Sequence, residues 1–316
     1  MNENLMWVWL MHLSTNMWGD QGESTMNAPF QDHLTTDDDV WKKIIDVLPE
    51  FGFNTVLIDV GDAIEYESHP EISIPGAWSK DKLKKELDRM RAMGLTPYPK
   101  LNFSACHDAW MKDYSFMLST PEYYRVVEDV IREVAEVFDY PALFHLGMDE
   151  ETMSNQGEDK MRIVRPDRLW YHDVNFMFDV CEKVGSRPWI WADKCWGDPA
   201  AYLKNMSKSV LQSNWWYTTL RRNPDGSFKR VETETYHILE KAGYDQVPTF
   251  SAIGGRWYNA KETMEMGRDD IAPERLKGYM SASWWFAYPR YYYGMLHEAN
   301  LFKVGRDIAY PELAGK

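Results

Sequence analysis

Three consecutive carboxylates, Asp149, Glu150 and Glu151, end the stretch YPALFHLGMDEETM, Tyr140 to Met153, whose first half is apolar and reads as a buried strand. Adjacent carboxylates repel one another, and burial raises the cost of ionising each. A chance juxtaposition, a solvated loop and a catalytic acid–base pair each account for such a run. What separates them is the place where the strand ends, so the surrounding elements come next.

Apolar strand-like runs alternate with amphipathic helical stretches along the whole chain, the pattern of a parallel sheet wrapped in helices. The strands are expected at Leu5 to Leu13, Thr55 to Val60, Thr96 to Phe103, Leu143 to Met148, Pro188 to Ala192, Val210 to Asn214, Val247 to Ile253 and Tyr279 to Trp285. A helix is expected after each, most clearly at Asp39 to Leu48, Lys80 to Met93, Pro121 to Phe138, Pro166 to Val184, Thr233 to Ala242 and Tyr293 to Val304. Thr120 before Pro121 supplies a capping hydroxyl and a first-turn proline, and Gly94, Gly185 and Gly243 stand where helices should stop. No repeat, linker or low-complexity tract divides the 316 residues. Eight strand–helix pairs in one domain, 1–316, predict an α/β fold of the (β/α)8 TIM-barrel type. A doubly wound open sheet is the structural alternative, but no glycine-rich phosphate loop follows the first strand.

In a barrel of this kind chemistry belongs at the C-terminal ends of the strands. Asp149 and Glu150 emerge at the end of the fourth strand, which disfavours a mere surface loop. Asp59 and Asp62 follow the second strand, Asn102 and His107 the third, and Asp193 the fifth. Trp191, Trp215 and Trp285 also end strands. Aromatic residues make up 15% of the chain, with 15 Trp and 18 Tyr. A tryptophan-rich core would use them, and so would a platform for sugar rings, whose C–H faces pack on aromatic faces. Their convergence with polar groups at one rim favours a carbohydrate pocket.

Lys and Arg total 35 against 49 Asp and Glu, a net charge of -14 with no basic block, which argues against nucleic acid and anionic membranes as partners. Cys106, Cys181 and Cys195 are too few and scattered for a disulfide framework or structural zinc site, and read as reduced thiols. The N-terminus lacks a basic leader region, and its apolar run is too short to span a bilayer. The chain as written reads as soluble, cytoplasmic or exported after leader removal.

The segment HLGMDE, His145 to Glu150, resembles the His-x-Gly-Gly-Asp-Glu motif of family-20 glycoside hydrolases, the β-N-acetylhexosaminidases. LIDVGDAIEYESHPEIS, Leu57 to Ser73, is similar to that family's second-strand segment, and MGLTPYPKLNFSACHDAW to its Pro-Glu-Ile-Asp-x-Pro-Gly-His segment. Order and spacing agree from Asn54 to Met153; beyond it the resemblance rests on tryptophans in WIWADK, LQSNWW and SASWWF. It implies a barrel enzyme without a cofactor or metal, acting on the glycan of an oligosaccharide or glycoconjugate. Hydrolysis would be retaining, with the sugar's 2-acetamido oxygen as nucleophile. Glu150 would be the general acid and then the base, and Asp149 would stay ionised to hold the acetamido N–H. Asp62 would orient His107 in a relay behind the acid. Trp191, Trp215 and Trp285 would box the sugar, with Tyr217, His145 and Asp193 completing its pocket. Gly147 would allow the bend that turns both acids to the mouth, while Glu151 reads as solvated or as a helix-start acid.

Several family features have no counterpart here. Met148 replaces the motif's second glycine, the first-strand arginine is missing from WVWLMHLSTNMWGD, TFSAIGGRW lacks the Tyr-x-Asp of the seventh strand, and Phe286 and Ala287 stand where a glutamate is expected. Tyr217 or Tyr258 could supply the missing phenol. The small domain that often precedes the family's barrel is also absent from the sequence. Two other classes stay open: a sugar-binding barrel without hydrolysis, and a metal-dependent enzyme using His145 and Asp149. Oligomeric state is not legible.

Overall fold

A computed structural model describes residues 5–18, 29–156, 161–252, 256 and 258–315. The strands run β1 Met6–His12, β2 Thr55–Asp59, β3 Thr96–Lys100, β4 Leu143–His145, β5 Arg187–Trp191, β6 Leu211–Ser213, β7 Thr249–Phe250 and β8 Gly278–Ser281. All are parallel, in the order β6-β5-β4-β3-β2-β1-β8-β7. Bridges Gln212–Gln246 and Trp215–Thr249 join the two ends of that order, so the sheet closes on itself as a (β/α)8 barrel.

Around it lie α1 Asp38–Phe51, α2 Lys80–Ala92, α3 Pro121–Val137, α4 Asp167–Lys183, α5 Lys194–Gly197, α6 Pro199–Asn205, α7 Val231–Lys241, α8 Tyr258–Asp270 and α9 Tyr292–Ala309. A helix follows each strand, as expected, including α8 after β7. The Thr120 hydroxyl caps α3 by accepting the Tyr123 N–H at 3.2 Å, with Pro121 in its first turn. No helix among the described residues is long and apolar enough to cross a membrane. The three cysteines are buried and unbridged.

The period-two alternation of a strand divides the chain into two apolar layers. Val8 and Leu10 of β1 point into the barrel with Leu57, Leu143, Trp189, Trp191, Leu211 and Met280. Trp7, Trp9 and Met11 point outward, into the larger layer under the helices. Several strands are shorter than their apolar runs, and the end of the seventh expected run, Ile253, lies outside the described residues. For β4 the cause is visible: Leu101 and Phe103 donate to β4 and the segment after it, so odd positions of β3 face β4. Pro97 and Pro99 lack those donors, and the two strands pair only at Lys100 and His145.

Near the top of the barrel the inward positions become polar. Lys100 is fully buried and ion-paired to Asp59, with His12 Nδ1 3.4 Å from the same carboxylate. Burial opposes ionisation of Asp59, but Lys100 and His12 outweigh it and hold the carboxyl below its ordinary value.

Candidate active site

The two acids reach the mouth because the backbone after β4 is bent three times. Gly147, Met148 and Glu150 all have positive φ, 69°, 75° and 58°. An extended chain would send neighbouring side chains to opposite faces, whereas these left-handed residues turn Asp149 and Glu150 toward one place. For Met148 and Glu150 the conformation costs of order 1–3 kcal/mol each, which surrounding contacts must offset.

Asn102 supplies several of those contacts. Its Nδ2 donates to Asp149 Oδ1 at 2.7 Å, and its Oδ1 accepts the N–H groups of Met148 and Ser104 at 3.1 Å each. A Cβ at Gly147 would lie 2.0 Å from that same Oδ1. Gly147→Ala is therefore expected to lose at least about 1–2 kcal/mol from backbone strain alone, and to displace both acids. Chemical denaturation checks the first effect; wild-type stability in that variant would remove the argument for the bend.

His107 lies against both carboxylates. Its Nε2 is 3.5 Å from Asp149 Oδ2 and 3.3 Å from Glu150 Oε2, and ligand-type atoms of the three residues all lie within 4.8 Å of one another. Burial disfavours the imidazolium, but the charges of Asp149 and Glu150 outweigh it and push His107 up to about 9. Asp149 is buried, whereas the Glu150 side chain is 35% exposed and open to a ligand. Asp193 accepts the Glu150 N–H at 2.8 Å and the Trp215 indole N–H at 3.4 Å, joining the acid loop to the aromatic wall. Burial and the charges of Asp149 and Glu150 push Asp193 up to about 7.

The expected contact between Asp62 and His107 is not formed. Asp62 accepts the Ser14 hydroxyl at 2.6 Å and the Asn16 amide at 2.7 Å, while His107 Nδ1 has no hydrogen-bond partner among the described residues. Asp62 thus ties the segment after β1 to the segment after β2. Burial, only partly offset by those two donors, raises it to about 6.

Glu151 is neither solvated nor a helix-start acid. It is buried and ion-paired to Arg165, and it accepts the backbone N–H groups of Arg165 at 2.8 Å and Ala105 at 3.1 Å. Arg165 also reaches Asp173 of α4 at 3.2 Å and the Phe103 carbonyl at 2.9 Å. This third acid anchors the loop that carries the other two.

Among the aromatics, Trp215 stacks on Tyr217 with ring centres 5.0 Å apart. Trp191 is buried below them, edge-on to His145 at 4.7 Å. Trp285 instead points away from the barrel interior and packs on Tyr291 at 5.1 Å. Its neighbour Trp284 takes the inward place, stacked on His12 at 5.4 Å and 6.4 Å from Tyr217. Alternation from the inward pair Met280 and Ala282 makes Trp284 the inward residue, a signal already present in the sequence. Tyr258, the other candidate phenol, opens α8.

His145 is fully buried, and its Nδ1 accepts the Gly147 N–H at 3.0 Å. Burial, with Lys100 nearby, holds it well below the ordinary imidazole value and hence neutral. It supports the bend from below. Among the described residues the three potential metal ligands that converge are His107, Asp149 and Glu150, not His145.

No protein-family model matches the sequence, and no curated protein does. Solved structures do resemble the fold. A β-N-acetylhexosaminidase from Bacteroides fragilis is 15% identical, with a TM-score of 0.60 over 88% of this chain and 60% of its own. A GH20 exo-β-N-acetylglucosaminidase from Vibrio harveyi, solved with N-acetylglucosamine, is 14% identical, with a TM-score of 0.63 over 95% and 54%. A GH20 β-N-acetylhexosaminidase from Streptomyces coelicolor is 11% identical, with a TM-score of 0.64 over 96% and 65%. The chain spans only about three fifths of the length of these proteins. At such identity the likeness is one of architecture: the chain has the (β/α)8 barrel fold seen in family-20 glycoside hydrolases.

Proposed function

We propose that this protein hydrolyses β-linked N-acetylhexosaminides, with retention and with the substrate's own acetamido group as nucleophile. The observation that carries the reading is the convergence of a partly exposed Glu150 with a buried Asp149 and His107 at the barrel mouth, beside Trp215 and Tyr217. Two unlike carboxyls are what the reaction needs. Glu150 protonates the leaving oxygen and then activates water. Asp149, held by Asn102, accepts the acetamido N–H and balances charge on the cyclised intermediate. Asp193, itself bonded to Trp215, holds the Glu150 backbone in place. His107 carries a proton at neutral pH and stands between the two acids, where it can supply Glu150. The glycan-binding neighbours support carbohydrate as the ligand class, since the Vibrio harveyi and Streptomyces plicatus structures hold N-acetylglucosamine.

The test is turnover of a chromogenic N-acetylglucosaminide together with inhibition by a thiazoline analogue of the cyclised intermediate. The analogue is expected to bind at least 10²-fold more tightly than N-acetylglucosamine, as mimics of a transition state do. Equal affinity would argue for an enzymatic nucleophile, and binding without turnover for a sugar-binding barrel. A second reading, a divalent cation held by His107, Asp149 and Glu150, is favoured by their spacing alone. Metal analysis of the purified protein, with loss of activity on chelation, would decide for it.

A further inference from the structure

A cavity of about 540 Å³ opens beside the acids, walled by Met17, Trp18, Phe116 and Met161 and reaching Cys106 and Asp108. Two of its walls touch the proposed catalytic groups. Cys106 donates its thiol to the Glu150 carbonyl, and Trp18 meets His107 edge-on at 6.2 Å. Phe116 and Met161 are 58% and 55% exposed, unusual for large apolar side chains. Asp108 is only 4% exposed, and its Oδ2 has no partner among the described residues. An orphaned buried carboxyl in an apolar cavity is a costly feature unless a ligand meets it.

We propose that this cavity receives the leaving group, and that it selects an aglycone with an apolar body carrying one hydrogen-bond donor for Asp108, in preference to a further sugar. The inference rests on the hydrolytic reading above, because it takes Glu150 as the acid that protonates the bond to the aglycone. Asp108 lines the cavity and its Oδ2, without a partner among the described residues, is the acceptor for such a donor. Apolar walls strengthen binding with each methylene removed from water, and of the polar residues that also line the cavity, Lys112, Ser115 and Gln156 already spend hydrogen bonds on neighbouring backbone groups, so a sugar would compete with those bonds.

The test compares methyl and octyl β-N-acetylglucosaminides and N,N′-diacetylchitobiose, in kcat/KM and in calorimetric affinity for Glu150→Gln. The octyl glycoside is expected to exceed the methyl by roughly ten- to a hundredfold in both, with chitobiose below it. Phe116→Ala and Met161→Ser, both at exposed positions, should each shrink the octyl-to-methyl ratio. An octyl chain carrying a hydroxyl should gain over plain octyl in the wild type, and Asp108→Ala should remove that gain. An octyl preference in binding without any hydrolysis would keep the cavity assignment and defeat the hydrolytic reading. Turnover with no octyl preference, or with chitobiose as the best substrate, would overturn the cavity assignment and leave the hydrolytic reading standing.

Discussion

Glu150→Gln is expected to lower hydrolysis of an N-acetylglucosaminide with a poor leaving group by roughly 10²-fold or more. Glutamine keeps the shape and the backbone bond to Asp193, whose acceptor faces the Glu150 N–H and not its side chain. The substitution therefore removes only the proton and the negative charge. A substrate with a good leaving group needs less protonation and should lose less. The pH profile gives an independent readout. Below about 9 His107 holds a proton 3.3 Å from Glu150, and above that value the proton is lost. Activity should accordingly fall as pH rises through about 9. The same shift contributes to stability, fully below the ordinary imidazole value and progressively less as pH rises to about 9. Replacing His107 by Gln should move the alkaline limb, a change that a purely structural histidine would not cause. Near-normal turnover of the poor substrate by Glu150→Gln would rule out the acid assignment.

Arg165→Met is expected to cost about 3–5 kcal/mol of folding stability, the usual consequence of leaving one member of a buried ion pair alone. Glu151 and Arg165 are both nearly inaccessible, and the pair links the loop after β4 to α4 through Asp173. Asp173 is in turn bonded to Ser119 at 2.6 Å and Tyr124 at 2.5 Å, so the arginine stands at the centre of a network that also reaches α3. The double variant Arg165→Met, Glu151→Gln should be more stable than Arg165→Met alone. Glutamine carries no charge to strand and retains one oxygen, enough to accept the N–H of either Arg165 or Ala105, which bond to different oxygens of Glu151. Denaturant titration of the two variants measures the coupling. A loss below about 1 kcal/mol in the single variant, or strict additivity in the double, would mean that the pair is open to water.

The barrel, and the rim where its chemistry should lie, are legible in the residue pattern. Apolar runs alternating with amphipathic helices leave few other folds for a chain of this length, and the period of two along each strand assigns side chains to inside or outside. Trp284 follows from that rule, two residues on from Ala282 and four from Met280, whereas Trp285 falls on the outward face. The strand ends also collect Asp149, Glu150, His107 and Asp193 at one rim, because a parallel barrel puts all C-terminal ends on the same face.

Which polar group meets which depends on the folded chain. Glu151 looks identical to its two neighbours in sequence, and only Arg165, 14 positions away and folded back over the loop, makes it a buried anchor. Asp62 and His107 follow neighbouring strands, but Ser14 and Asn16 donate to the two oxygens of the aspartate. Asn102 holds the acid loop through two hydrogen bonds, to Asp149 and from Met148, that no spacing rule contains. Periodicity fixes the face on which a side chain lies, whereas a hydrogen bond depends on tenths of an ångström between segments far apart in the chain, and those distances exist only once the barrel has closed.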